Sequence, residues 1–591
     1  MRRTAFALSP IFPPGTPLQR HPSGAEAAAF RGKGLQVNQR TSGILLHPTS
    51  LSNRYPIGDL GPAANAFVDF MAESGQRWWQ MLPIGPVGGE NSPYQSPSAF
   101  AGNPLLLSPD RLVEQGFLRS QDIGNPVSGP VGYVNYPAAE QLKLKWLKKA
   151  FENFETNRLG GKQSEFDAFV NAQSFWLEDF SMFLAIQGGE GTADWTRWTP
   201  DLRTRQTNAL IHAQKQLAEG IRYHQFVQWQ FSLQWNELRA YCNSKGIQLI
   251  GDIPLFVSHQ SADVWAHPEL FKLNADGNPT VVAGVPPDDF SKTGQLWGLP
   301  VYSWEALEKQ GYRWWLERLR TSLARFDVNR LDHFIGFVRT YEVSAQARTA
   351  INGRYTPVGG AAFFEAIRKT FGSLPFIADD LGAITPEVVA LMNQLKIPGT
   401  RVLQFELGSM LKSDSNPPAL LPEKSVVYTG THDNDTTKGW YARLPAAQRE
   451  VLQRKLGVDD REIVWAIIRQ ALASPADIAI VPAQDVLELG SVARMNVPGI
   501  AKGNWGWRLK DGALGHEIAE ELRGISFEFG RLGEFNYNSV SRSRENDLRP
   551  QIAKRAYELY ERGGRQNGQS ARDWLRAERE VTMETDGENT P

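Results

Sequence analysis

The chain has 591 residues, of which 41% are hydrophobic and 21% charged, a composition that can bury a sizeable core and excludes disorder for the bulk of the protein. Lys plus Arg (63) nearly cancels Asp plus Glu (64), so no net field draws the chain to nucleic acid, an anionic membrane or a polyphosphate, and an uncharged ligand is expected. The single cysteine, Cys242, excludes an intrachain disulfide and a Cys-based metal cluster; with no apolar run long enough to span a membrane, it fits a cytoplasmic protein.

In chain order, residues 1–39 open with "MRRTAFALSPIFPPG", an apolar run too short and too broken by proline for a signal peptide, and read as a disordered leader. Length alone predicts about three to four domains, although a barrel with insertions absorbs this length in one unit. Eight short apolar runs, each followed by Gly, Pro, Asp or His, then recur: "GILLHP" (43–48), "RWWQMLP" (77–83), "IQLIGDIPLFV" (247–257), "FDVNRLDHF" (326–334), "PFIADD" (375–380), "TRVLQFEL" (400–407), "SVVYTGTHDN" (425–434) and "DIAIVPAQD" (477–485). This is the pattern of buried parallel strands ending in functional loops. Helical patterns lie between several of them, at 63–75, 311–326 and 385–396, the last opened by Thr385, Pro386 and Glu387 as cap, first-turn proline and acidic residue. Strand then helix, eight times, predicts an α/β fold: a (β/α)8 TIM barrel over 40–562.

The gap between the second and third strands is too long for a loop, and residues 105–240 carry helical periodicity, so a helical subdomain is predicted there. Residues 270–310 read as a long ordered excursion after the third strand. Its "NADGNP" lacks the spacing and closing Glu of a calcium loop and reads as a hairpin. Residues 563–591 read as a polar, fraying tail.

A barrel of this type puts its chemistry at the C-terminal ends of the strands. Carboxylates dominate there: Asp252, Asp332, Asp379, Asp380 and Asp433, with His333 and His432. No lysine stands at a strand end, which counts against a Schiff base, and the His and carboxylate spacing is not that of a metal site. Paired carboxylates suit acetal chemistry, in which one acts as nucleophile or base and the other as proton donor. Asp332 and the 379/380 pair come from adjacent strands, and Arg330, two residues before Asp332, shares its face and would hold it ionised. Alternation puts Asp379 and Asp380 on opposite faces. The bland reading of Asp332 is a strand-end cap, and that of "HDND" a turn. His432 and Asp433 suit sugar hydroxyls and a developing positive charge.

At these residues the chain resembles the amylomaltase family, the 4-α-glucanotransferases or disproportionating enzymes of the α-amylase superfamily. The resemblance runs from about 41 to 550 through "SGILLHPTSL", "IGDLGP", "NSPYQSPSAFAGNPLL", "GDIPLFV", "SADVWAHPELF", "GVPPDDFSKTGQLWG", "NRLDHF", "DDLGAITPEV", "YTGTHDND" and "ARMNVPG". It implies retaining transfer of α-1,4-glucan segments from a donor glucan to an acceptor sugar, with no metal or organic cofactor. By position, Asp332 resembles the nucleophile, Asp433 the transition-state stabiliser, and Arg330 and His432 their partners. Ser92, Tyr94, Asp288, Gln295, Trp297 and Asn496 resemble sugar-binding positions. Where the family usually has Ala-Glu-Asp-Leu-Gly, with Glu as acid/base, this chain has Asp379 in "ADDLG", one methylene shorter. Asp289, Ile335 and Gln260 also depart from common family residues. The alternatives left by these residues are a retaining α-glucan hydrolase, or an α-glucan-binding protein whose catalysis Asp379 impairs.

Overall fold

The computed structural model describes residues 39–125, 131–157, 161–287, 291–382, 384–412 and 421–532, and isolated residues beyond. The expected leader before residue 39, and nearly all of the expected tail, lie outside the described residues.

Eight parallel strands close a barrel. They are β1 (Thr41–Leu45), β2 (Trp78–Gln80), β3 (Gln248–Ile253), β4 (Val328–Leu331), β5 (Phe376–Ala378), β6 (Gly399–Val402), β7 (Ser425–Tyr428) and β8 (Ile478–Pro482). Each overlaps one of the eight apolar runs, six lying wholly inside and β1 and β6 starting two and one residues earlier, because strands covered on both faces are apolar through most of their length. β1 closes the ring, pairing Thr41 with Ile478 of β8 and Gly43 with Trp78 of β2. A Cβ at Gly43 would lie 2.1 Å from the Trp78 carbonyl oxygen, so the closure demands glycine there.

The sixth run is corrected. Only Gly399–Val402 is strand, and Leu403–Lys412 is helix. Leu403, Leu407 and Met410 are buried at the three- and four-residue spacing of one helix face, which the alternation of Leu403, Phe405 and Leu407 with Gln404 and Glu406 disguises as a strand.

Between β2 and β3 the chain passes through helices that include Tyr136–Asn157, Lys162–Ala172, Ser174–Glu190 and Thr207–Gln216, and ends in the long helix Ala218–Ser244. This last helix covers the barrel: Trp235 packs edge-on against Phe326 and donates to the Arg325 carbonyl. It also pins the loop after β2. The Gln228 amide pairs with both main-chain groups of Gly102, and that of Gln234 with both of Ser108, each replacing bonds that buried main chain cannot leave unmade. A buried Lys143–Asp59 pair, 3.1 Å apart, ties the helix Tyr136–Asn157 to the loop after β1.

The excursion after β3 joins the loop after β4 in a separate antiparallel sheet, ordered Gln295–Pro300, Val281–Val285, Arg339–Ser344, Arg354–Pro357. "NADGNP" forms its expected turn, with the Asn274 side-chain oxygen accepting from the Asp276 and Asn278 amides.

At the opposite end of the barrel, Arg531 is fully buried and donates to the carbonyls of Thr41, Leu472, Ser474 and Ala476, with burial lowering its pKa to about 9. It therefore staples the start of β1 to the chain before β8. Arg531→Met leaves these carbonyls orphaned and should cost about 3–5 kcal/mol in urea unfolding; a loss below about 1 kcal/mol would contradict the staple.

Candidate active site

The C-terminal ends of β3, β4 and β5 converge on one guanidinium. Arg330, on β4 and 4% exposed, places Nη1 2.6 Å from Asp252 Oδ2, and Nη2 3.0 Å from Asp332 Oδ1 and 2.8 Å from Asp379 Oδ2. Period-two alternation carries Arg330 and Asp332 to the same side. Two oxygens within hydrogen-bonding distance of one nitrogen lie within about 6 Å of each other, so Asp332 and Asp379 are near neighbours.

A second chain of contacts enters from β7. The Tyr94 hydroxyl donates to Asp252 Oδ2 at 2.8 Å and lies 2.7 Å from His432 Nε2. Tyr94 has one hydroxyl proton and spends it on Asp252, so His432 Nε2 is the donor to Tyr94. His432 Nε2 also lies 3.5 Å from Asp433 Oδ2, while Asn496 Nδ2 donates to Asp433 Oδ1 at 2.6 Å and Arg494 donates to the Asp433 carbonyl at 2.5 Å. Asp433 is the most open of the three candidate catalytic carboxylates, its side chain 43% exposed against 24% for Asp332 and 14% for Asp379.

Three carboxyls meet one guanidinium here, and Asp433 lies near enough to act on Asp332. Burial pushes Asp332 well above the usual carboxylate range; Arg330 opposes this, and the neighbouring Asp252, Asp379 and Asp433 reinforce it. Burial likewise raises Asp252, whose Oδ1 has no partner. His333, in a left-handed turn at φ 51°, is lowered to about 4 by burial, with Asp379 opposing.

The adjacent aspartates separate. Asp379 faces Arg330, whereas Asp380 is 5% exposed and accepts from the Thr400 amide at 2.7 Å and Arg401 Nη1 at 3.0 Å. Asp380 therefore fixes the end of β5 to β6.

The remaining sugar-binding candidates divide. Ser92 Oγ accepts from the Tyr94 amide and caps the turn Pro93–Gln95. Trp297 donates to Gln295 Oε1 at 3.3 Å and stands edge-on to His333 with centroids 4.9 Å apart, so the antiparallel sheet brings Trp297 against His333, the residue that follows Asp332. Asp288 lies outside the described residues, as does Asp289. Gln260 donates to Asp194 and accepts from the Trp195 amide, away from the cluster. Two residues without an assigned role emerge: Asp252, the second anchor of Arg330, and Arg494, which holds Asp433. Both stood inside noted motifs, "GDIPLFV" and "ARMNVPG", but nothing in their spacing showed which partner each would meet.

A (β/α)8 barrel carrying a carboxylate cluster around one arginine, open to the C-terminal face, defines an enzyme of the acid–base carboxylate class. The 4-alpha-glucanotransferase family model matches residues 46–514, and the chain belongs to that family. It is 44% identical over 502 residues to the 4-alpha-glucanotransferase of Thermus thermophilus, covering 83% of this chain and 99% of the relative. It is 40% identical to the chloroplastic/amyloplastic 4-alpha-glucanotransferase of Solanum tuberosum, covering 84% and 87%. The structure of amylomaltase from Streptococcus agalactiae in complex with acarbose superposes with a TM-score of 0.80 at 35% identity, covering 83% of this chain and 100% of that one. A second family model, described as a protein of unknown function, matches residues 547–582. That match overlaps both the end of the expected barrel and the expected tail. Among the described residues, no helix is long and apolar enough to cross a membrane.

His47, at the end of β1, gives a pH test. It is 5% exposed, its Nδ1 has no partner, and burial, with His432 adding to it, lowers its pKa from 6.5 to about 3. Above pH 6.5 the ring is neutral folded and unfolded; below it only the unfolded chain takes the proton, so stability is lost as pH falls from 6.5 towards about 3. His47→Gln should flatten that loss by up to about 1.4 kcal/mol per pH unit in urea unfolding; parallel slopes would contradict it.

Proposed function

We propose that the chain transfers α-1,4-glucan segments between maltooligosaccharides by a retaining double displacement, with Asp332 as nucleophile, Asp379 as acid/base and Asp433 as transition-state stabiliser. The observation that carries this is the shared Nη2 of Arg330, which keeps Asp332 and Asp379 within about 6 Å. That bound admits the roughly 5–5.5 Å of retaining enzymes and is short of the roughly 6.5–9.5 Å that lets an inverting enzyme seat a water.

In the first step an Asp332 oxygen attacks the anomeric carbon, and the glycosidic oxygen leaves with a proton from Asp379. In the second, the acceptor hydroxyl attacks that carbon, its proton passes to Asp379, and Asp332 is released. Burial biases Asp332 towards its neutral form, and Arg330 is the group that favours the ionised nucleophile. Asp433, steadied by Asn496 and Arg494, supplies negative charge near the oxocarbenium-like ring. His432 and Tyr94 extend that support to Asp252. Ser92, Gln295 and Trp297 line the approach, with the Trp297 ring as a stacking face for sugar. Water is the competing acceptor, and a hydrolase would share the first step.

With maltotriose the protein should release glucose and form longer oligomers without net new reducing ends, and Asp332→Asn should lower that rate about a thousandfold or more. Reducing ends that rise in step with glucose would make the chain a hydrolase. Unchanged maltotriose with measurable binding would make it a glucan-binding protein.

A further inference from the structure

We propose that Arg325 holds a phosphate group in a cavity outside the catalytic cluster, either inorganic phosphate or the phosphate of a sugar phosphate. The proposal does not depend on the transferase reading. The cavity, of about 630 Å³, lies between the loop after β2, the end of β3 and the helix Arg313–Arg325 that leads into β4. Arg318, Thr321, Ser322 and Arg325 line it, at the three-, four- and seven-residue spacings of one helix face. A helix face turned into a protein is ordinarily apolar. This one is a row of hydrogen-bond donors.

The row is not evenly satisfied. Arg318 donates to the carbonyls of Pro254 and Leu255, and Asp263 offsets part of its charge. Ser322 spends its proton on Asn329 Oδ1 at 2.7 Å. Arg325 has neither kind of partner: among the described residues its guanidinium makes no hydrogen bond and no ion pair, and it lies 5.4 Å from the centroid of the Phe231 ring. It is half-buried, and burial lowers its pKa to about 10 with no charged group opposing. Asp252, which also lines the cavity, therefore stands too far off to neutralise it. Arg531, buried as well, spends its N–H groups on four carbonyls. A cation withdrawn from water with neither kind of partner is costly, and an anion removes that cost.

Two hydroxyl protons in the cavity are also unspent. Thr321 stands four residues before Arg325, which makes the two neighbours on the helix, and its side chain makes no hydrogen bond among the described residues. Ser98, 4% exposed, accepts from the Phe100 and Ala101 amides at 3.1 Å each, which fills its lone pairs and leaves its proton. A guanidinium fork with two hydroxyls is a set dominated by donors, and phosphate meets it with charge and three acceptor oxygens. An uncharged sugar fits it poorly, because sugar hydroxyls need acceptors as well as donors. Bound there, phosphate ties the loop that carries Tyr94 to the helix leading into β4.

Equilibrium dialysis of the full chain against labelled inorganic phosphate, at matched ionic strength, tests the site. Wild type should bind one phosphate per chain; Arg325→Gln should weaken it about tenfold or more, and Thr321→Val about threefold. No binding to wild type, or binding that a folded Arg325→Gln leaves unchanged, would overturn the proposal. Should that variant fail to fold, Thr321→Val decides, and an unaltered affinity overturns it. Competition then separates the two sources. Glucose 1-phosphate that displaces the label at lower concentration than unlabelled phosphate marks a sugar phosphate as the ligand, and at equal or higher concentration it marks phosphate itself.

Discussion

The geometry of this protein turns on a buried guanidinium. Arg330 meets Asp252, Asp332 and Asp379 with two of its nitrogens, and a buried cation persists only when paired and hydrogen-bonded. The arginine is therefore held by the carboxylates as firmly as it holds them. Its planar fork also sets their relative positions, which a lysine's point charge would not do. Removing any one carboxylate changes the charge felt by the others, so the cluster is a single electrostatic unit.

The rest of the fold delivers groups to that unit. Three barrel strands bring the carboxylates and the arginine, and β7 brings His432 and Asp433. The loop after β2 brings Tyr94, and that loop stays in place because Gln228 and Gln234 on the long helix Ala218–Ser244 satisfy its main chain. The antiparallel sheet built from the loops after β3 and β4 sets Trp297 against His333. Asp380 ties β5 to β6, so the residue beside the acid/base candidate serves the frame rather than the chemistry.

Much of this was legible in the sequence because buried parallel strands are apolar runs with an abrupt polar end, and that end is where a barrel keeps its working residues. All eight strands and the separation of Asp379 from Asp380 followed from that signal and from period two. The misreading at 400–407 comes from period two itself: Leu403, Phe405 and Leu407 alternate with Gln404 and Glu406 as strand residues would, although the helix begins at Leu403. What could not be read were the partners made across strands. Tyr94 looked like a sugar contact, yet its hydroxyl joins Asp252 to His432, residues 158 and 338 positions away. Asn496 likewise turns its amide onto Asp433, and Arg494 drew no notice because its target is a carbonyl 61 residues off. Such pairings follow from three-dimensional closure and leave no local pattern.

The central claim is that one arginine holds two carboxyls at the separation of a retaining enzyme. Proton NMR of the transfer product, whose newly formed glycosidic linkage does not mutarotate, tests it directly. The account predicts that the newly formed anomeric centre appears in the α configuration of the donor. A new linkage in the β configuration would mean inversion, and would contradict the roles of Asp332 and Asp379 together.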